Sequence, residues 1–320
     1  MSLSFRDIDF QAGIPDIEAS MPLALTETPC GRDRMEQVRA LGRLLNFDDA
    51  LEVETPFGFA LAGKRGQVEC FTASGAVRAR NVELLTRFDD ERREWPDVRR
   101  VKTREGTTFV LSEEAEGALI RQAEETVRRV GLLGDGIAGI GVSVGQWAEL
   151  DEKGGERASG PGRATVQASY AVDGVPFIGP GAKTNLHYDP VDGRPELARM
   201  FHVFRPVADV RSVEIGDADQ AFEAFLADPF LQAQVRRGGK VVVTGVQVGL
   251  LALPADTPQR AAYPAIAVEG SIVGLKDERT GDYELRFGRY APAASPDALR
   301  RAGVAVATLG AARRTPNRRG

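Results

Sequence analysis

The stretches GVSVGQWAE (Gly141–Glu149) and GVQVGLLAL (Gly245–Leu253) decide how this sequence is read, because they share a Gly-Val-x-Val-Gly core and a later alanine at an offset of 104. In the first, Ile140, Val142 and Val144 alternate with Gly139, Gly141, Ser143 and Gly145. That is the period-2 pattern of a strand with one apolar face and one nearly bare face. Absent side chains permit close backbone approach, so a helix is expected to pack against the bare face.

Upstream of the first stretch, Ser112 is placed to cap a helix. Glu113 and Glu114 would sit in its first turn, and Leu119, Ala123, Val127 and Val130 would form its buried stripe. Upstream of the second, Asp217 and Gln220 have the spacing of a capping box, ahead of Phe222, Phe225, Leu226 and Phe230. Asp228-Pro229 restarts or kinks that helix. Downstream, YAVDG at Tyr170 is echoed by IAVEG at Ile266. The order helix, strand, meander therefore occurs twice, and the expected fold class is α+β, built as tandem units of a helix packed on an antiparallel sheet. The expected organisation is an N-terminal α+β unit with a charged linker (1–107), a first helix-plus-meander repeat (108–208), a second (209–295) and a basic C-terminal tail (296–320). The linker is the mixed-charge run from Leu85 to Thr108, with Trp95-Pro96 as a docking point.

Composition narrows the function classes. The net charge of -5 disfavours a dedicated nucleic-acid binder. No apolar run reaches the roughly 18 residues of a membrane span, and the first residues lack a signal-peptide pattern, so a cytoplasmic protein is expected. Cys30 and Cys70 stand alone, with no Cys/His spacing for zinc, and neither a metal nor a cofactor is expected. Whether the two cysteines pair is left open by the sequence.

The run GVPFIGPGAKTNLHYDP (Gly174–Pro190) tempts a phosphate-loop reading. Ala182 separates Gly181 from Lys183, however, and the residues from Lys183 onward alternate as a strand rather than opening a helix, so the run reads as a hairpin turn. Together with its surroundings, YAVDGVPFIGPGAKTNLHYDPVDGRP resembles the PepSY-type and YycI-like regulatory domains, over roughly Ser112 to Pro206 and again Asp217 to Tyr290. The resemblance implies cystatin-like or PepSY-like repeats and a binding or regulatory module without a fixed catalytic set. Such domains act on peptidases or sensor kinases from outside the membrane.

The residues themselves support two readings. In the first, the protein is a peptide- or protein-binding accessory factor, taking an extended peptide at a sheet edge or in a groove between repeats. Its expected ligand-binding residues are Trp147, Tyr170, His187, Tyr188, Arg199 and Arg205, an aromatic and cationic mixture typical of peptide-binding surfaces. In the second it is a cofactor-independent cyclase or isomerase. His187 or His202 would then act as general base beside Tyr188 and Asp189.

Overall fold

A computed structural model describes residues 8–304 apart from 14, 30–31, 91–94, 104–105, 133, 153–154, 217 and 278–280. In chain order its elements are β1 (Ile8–Phe10), β2 (Ser20–Thr26), α1 (Arg32–Leu44), β3 (Leu51–Thr55), β4 (Gly58–Ala62), β5 (Gly66–Phe71), β6 (Ala76–Asn81), α2 (Val82–Asp90), β7 (Val98–Thr103) and β8 (Gly106–Leu111). Then come α3 (Glu113–Arg129), β9 (Ile137–Leu150), β10 (Glu156–Val172), β11 (Val175–Ile178), β12 (Lys183–Val191), β13 (Arg194–Val203), β14 (Val207–Glu214), α4 (Ala218–Leu226) and α5 (Pro229–Arg236). The last are β15 (Lys240–Leu251), β16 (Ala261–Asp277), β17 (Gly281–Pro292) and α6 (Pro296–Arg301).

Among the described residues more than twice as many lie in strands as in helices, which overturns the expected tandem helix-on-sheet units. The dominant feature is one large antiparallel sheet whose pairing runs β7, β8, β9, β10, β12, β13, β6, β5, β4, β3. The β6–β13 pairing joins residues of the expected N-terminal unit to the expected first repeat. A second group forms around β15, β16 and β17, with β1 and β11 both added to β15 in parallel. The start of β16 also pairs with β2, which in turn pairs with β14. The segments 1–107, 108–208 and 209–295 are therefore interleaved in space, because strands from the first are built into sheets of both others.

The echo that suggested duplication dissolves in the register. Asp173 and Gly174 have φ of 50° and 78°, and close a two-residue hairpin between Val172 and Val175, where the left-handed region favours Asp-Gly. Glu269 and Gly270 instead lie inside β16, opposite a bulge at Thr244 of β15 and paired without interruption to Gly288 and Phe287 of β17. Near-identical letters thus encode a turn in one place and a strand interior in the other.

Single elements follow their local chemistry. Ser112 caps α3, its side chain accepting from the Ala115 amide, and Asp228 accepts from the Phe230 and Leu231 amides to start α5. Asp217, the other expected cap, lies outside the described residues, as do Cys30 and the tail beyond 304. The linker expected between Leu85 and Thr108 contributes the last turns of α2 and the β7–β8 hairpin, whose first strand mixes Val98 and Val101 with Arg99, Arg100 and Lys102.

Helices α1 and α3 both cover one face of the large sheet. Val38, Leu41, Leu119, Ala123 and Val127 pack there with Val68, Ala79, Val166, Leu186, Tyr188 and Met200. Each fully buried aliphatic side chain contributes about 1.5–3 kcal/mol. Among the described residues no helix covers the bare glycine face. Ile140, Val142 and Val144 turn toward the helix-covered core, whereas a Cβ on Gly141 would meet nothing within 4 Å. The smaller sheet carries α4 and α5, through Phe222, Phe225 and Leu231 on Val241, Ile266 and Phe287. No helix among the described residues is long and apolar enough to cross a membrane.

Candidate binding face on the large sheet

Consecutive residues of a strand point to opposite faces, so the register assigns every side chain to the helix-covered side or to the side away from α1 and α3. On the latter, one rung reads Ser143, Thr165, His187, Arg199, Arg80, Gln67, Ala62, Leu51 from β9 to β3. The next reads Gly141, Gln167, Asn185, Phe201, Arg78, Glu69, Ala60, Val53. Eight strands about 4.8 Å apart make a surface roughly 35 Å wide.

Two structures bound this surface and turn it into a trough. At one end α2 stands beside the buried Asp189, where Arg163 donates to Asp189 Oδ1 at 2.8 Å and to Leu85 O at 3.3 Å. At the other end Ala255, in the connection from β15 to β16, packs among Phe71, Ala76, Phe201 and Val203. Buried Arg205 fixes that connection by donating to the carbonyls of Leu253, Pro254 and Thr257. Two glycines of the rejected phosphate-loop motif take part: a Cβ at Gly181 would lie 1.8 Å from Leu253 O, and one at Gly179 2.7 Å from Ala252 O. Their lack of side chains lets the two sheets touch.

The electrostatics of the trough are uneven. Arg78 is neutralised by Glu69, its Nε donating at 3.0 Å, and its guanidinium lies 5.2 Å from the centre of the Phe71 ring. Arg80 and Arg199 stand directly opposite one another on a rung that itself holds no carboxylate; the nearest acid acting on Arg80 is Glu69 on the next rung, already engaged by Arg78. Arg80 Nε and Asn185 Oδ1 are buried without a hydrogen-bond partner among the described residues. Burial first, then the charges of Arg78 and Arg199, lower the Arg80 pKa, with Glu69 opposing them. His187 shares this rung, its Nδ1 2.9 Å from Thr165 Oγ1. Burial first, then the charges of Arg199 and Arg163, push its pKa down to about 4, so it is neutral at pH 7.

Of the residues expected from sequence, the structure brings His187 and Arg199 together on this face. Tyr188 points into the helix-covered core, while Tyr170 packs with Phe204, Ala182 and Ala252 where the two sheets meet; Tyr170 OH, Thr184 Oγ1 and His202 Nδ1 form a buried chain with links of 2.7 and 2.8 Å. Burial, reinforced by Arg34, lowers the His202 pKa to about 3. Burial raises both tyrosines, and lowers Arg205 to about 10 while its guanidinium holds three carbonyls. Trp147 is half-buried, its indole packed where a Cβ on Gly160 would sit. The supposed general-base set is thus split by the thickness of the sheet: His187 on one side, Tyr188 and His202 on the other, and Asp189 engaged by Arg163. Arg78, Arg80, Thr165 and Asn185 were not singled out from sequence. The alternation of AVRARN, Val77 and Ala79 inward with Arg78 and Arg80 outward, carries the signal for two of them. Among the described residues no cluster of His, Cys, Asp and Glu is arranged to hold a metal.

No family model and no curated protein matches this chain. Among solved structures, an uncharacterized protein from Eubacterium rectale ATCC 33656 is similar with a TM-score of 0.51 at 10% identity, covering 87% of this chain and 84% of that one. At that identity the likeness is one of fold.

Proposed function

We propose that this chain is a binding module that takes an extended acidic peptide segment across the trough of the large sheet, a carboxylate seated between Arg80 and Arg199. The observation that carries this reading is the unneutralised rung. Like charges directly opposite in a sheet destabilise it, yet here two guanidiniums face each other beside a neutral histidine and buried polar atoms without partners. A carboxylate accepts paired N–H bonds from guanidinium in a geometry lysine cannot offer. Ala62, Leu51 and Val53 continue the same rungs and provide an accessible apolar strip for the flanking side chains. The partner class is that expected from sequence; its place moves from a groove between repeats to a sheet face. Sparing use of cysteine, two in 320 residues, supports a reducing, cytoplasmic setting for that partner.

Fluorescence anisotropy tests it with labelled octapeptides that alternate Glu or Lys with Val. The acidic peptide is expected to bind and the basic one not, with affinity falling as salt rises. Arg80→Gln and Arg199→Gln should each weaken binding about tenfold, the value of a charge-assisted bond pair. Equal binding of both peptides, or indifference to both substitutions, would remove the proposal.

A further inference from the structure

The two strands that end the large sheet are complementary to each other. Strand β3, Leu-Glu-Val-Glu-Thr, pairs only with β4 among the described residues, and β7, Val-Arg-Arg-Val-Lys-Thr, only with β8. Each exposes an edge valine, Val53 at 43% and Val101 at 39%, next to Leu51 at 71%. Exposed edges template further strands unless charge or shape forbids it.

Facing is set by the register. Val53 lies opposite Ala60 on the trough side, while Glu52 points to the helix side, where it pairs with Arg39 of α1. At the other edge, Arg100 lies opposite Phe109, whose ring is buried in the sheet core, so Arg100 and Lys102 share the helix side and Val101 the trough side. On β3 Glu52 and Glu54 thus share the helix side and Val53 the trough side; on β7 Arg100 and Lys102 share the helix side with Val98, and Arg99 shares the trough side with Val101.

Direction is set by the strand count. Every neighbouring pair in the sheet is antiparallel, so the first and tenth strands run oppositely. A second copy added edge to edge in the same orientation therefore presents its β7 antiparallel to β3 with the same face outward. Centred on Val53 opposite Val101, that register places Glu52 opposite Lys102 and Glu54 opposite Arg100. Like edges do the reverse: β3 against β3 about Val53 sets Glu52 against Glu54, and β7 against β7 about Val101 sets Arg100 against Lys102. Like charges directly opposite are disfavoured and unlike charges favoured.

We propose that copies of this chain associate head to tail, β3 of one molecule pairing with β7 of the next so that the large sheet continues across the contact. The contact is heterologous, so it closes into a ring or extends as a chain according to the sheet twist. Five residues of strand bury little area, which places the association in the weak, transient class. Circular dichroism and urea unfolding of each variant serve as an independent check on folding.

Sedimentation velocity over a concentration series at low salt tests the proposal. The wild-type chain should shift to larger species with concentration and revert at high salt. Glu52→Lys/Glu54→Lys and Arg100→Glu/Lys102→Glu should each remain monomeric, and an equimolar mixture of the two should associate again, because reversed edges complement each other. Glu54→Lys alone, which leaves the Arg39–Glu52 pair in place, should weaken association at least severalfold if the double variant folds poorly. A wild-type chain that stays monomeric to its solubility limit, or association untouched by either double substitution, overturns the proposal.

Discussion

Acidification from pH 7 to pH 5 is expected to destabilise this fold through two histidines held neutral. His202 is 3% exposed, bonded to Thr184, with its pKa lowered to about 3; His187 is half-buried beside Arg199 and Arg163 at about 4. Both lie below the ordinary value of 6.5 that applies in the unfolded chain. Between those limits the unfolded chain binds the protons, so stability is full above pH 6.5 and is lost as pH falls toward 4 and 3. At pH 5 each group has given up about 1.5 units, or about 2 kcal/mol, and the two together about 4 kcal/mol. Half-burial makes the His187 share the smaller one. Urea unfolding followed by circular dichroism at pH 7, 6 and 5 measures the loss before most carboxylates titrate. His202→Gln should remove more than half of it whatever its effect on stability at pH 7. An unchanged pH slope in that variant, with an unchanged m-value, would refute the assignment of His202 as a neutral buried group.

Three further outcomes are expected. Ser112→Ala removes the acceptor for the Ala115 amide and should cost about 1 kcal/mol in chemical denaturation. Arg205→Met leaves the carbonyls of Leu253, Pro254 and Thr257 without their donor, so it should lower stability by about 2–3 kcal/mol and speed proteolysis between residues 252 and 260. Gly145 and Gly249 occupy equivalent positions of the shared motif, yet a Cβ at Gly145 comes no closer than 3.4 Å to Arg163 O while one at Gly249 would sit 2.4 Å from Pro176 O. Gly145→Ala should therefore shift Tm little, whereas Gly249→Ala should lower it by several degrees by disrupting the β11–β15 pairing.

These glycines also mark where reading the sequence stops working. The cap at Ser112, the restart at Asp228 and the stripes of α3 and α4 are legible because helix chemistry is local. The Asp173-Gly174 and Asp192-Gly193 turns, with φ from 49° to 78°, are legible for the same reason. Strand partners are not: β6 pairs with β13 across more than a hundred residues, and no period in either strand names the other. Without partners, two copies of Gly-Val-x-Val-Gly looked like two first strands of one repeated unit. Their environments differ, since β9 leaves its glycine side open and β15 presses Gly249 against β11. The candidate site divides in the same way. His187 and Arg199 stood out by residue type, while Arg80 gains its meaning from facing Arg199, a relation that exists only in the assembled sheet.

That relation permits a test separating a ligand site from a structural arginine. Several partly buried guanidiniums elsewhere face carboxylates: Arg78 with Glu69, Arg163 with Asp189, and Arg289 with Asp228. Removing such an arginine leaves an unpaired acid and costs stability. The rung of Arg80 and Arg199 has the opposite sign, because each cation raises the energy of the other. Arg199→Gln should therefore stabilise the unliganded protein by about 0.5 kcal/mol while weakening the acidic peptide about tenfold. Arg78→Gln should lower stability. The two substitutions are chemically identical and lie on adjacent rungs of neighbouring strands, so opposite signs in urea unfolding can arise only from the charges that face them. If Arg199→Gln destabilised the fold as Arg78→Gln does, the rung would be part of the scaffold and the acidic ligand would lose its seat.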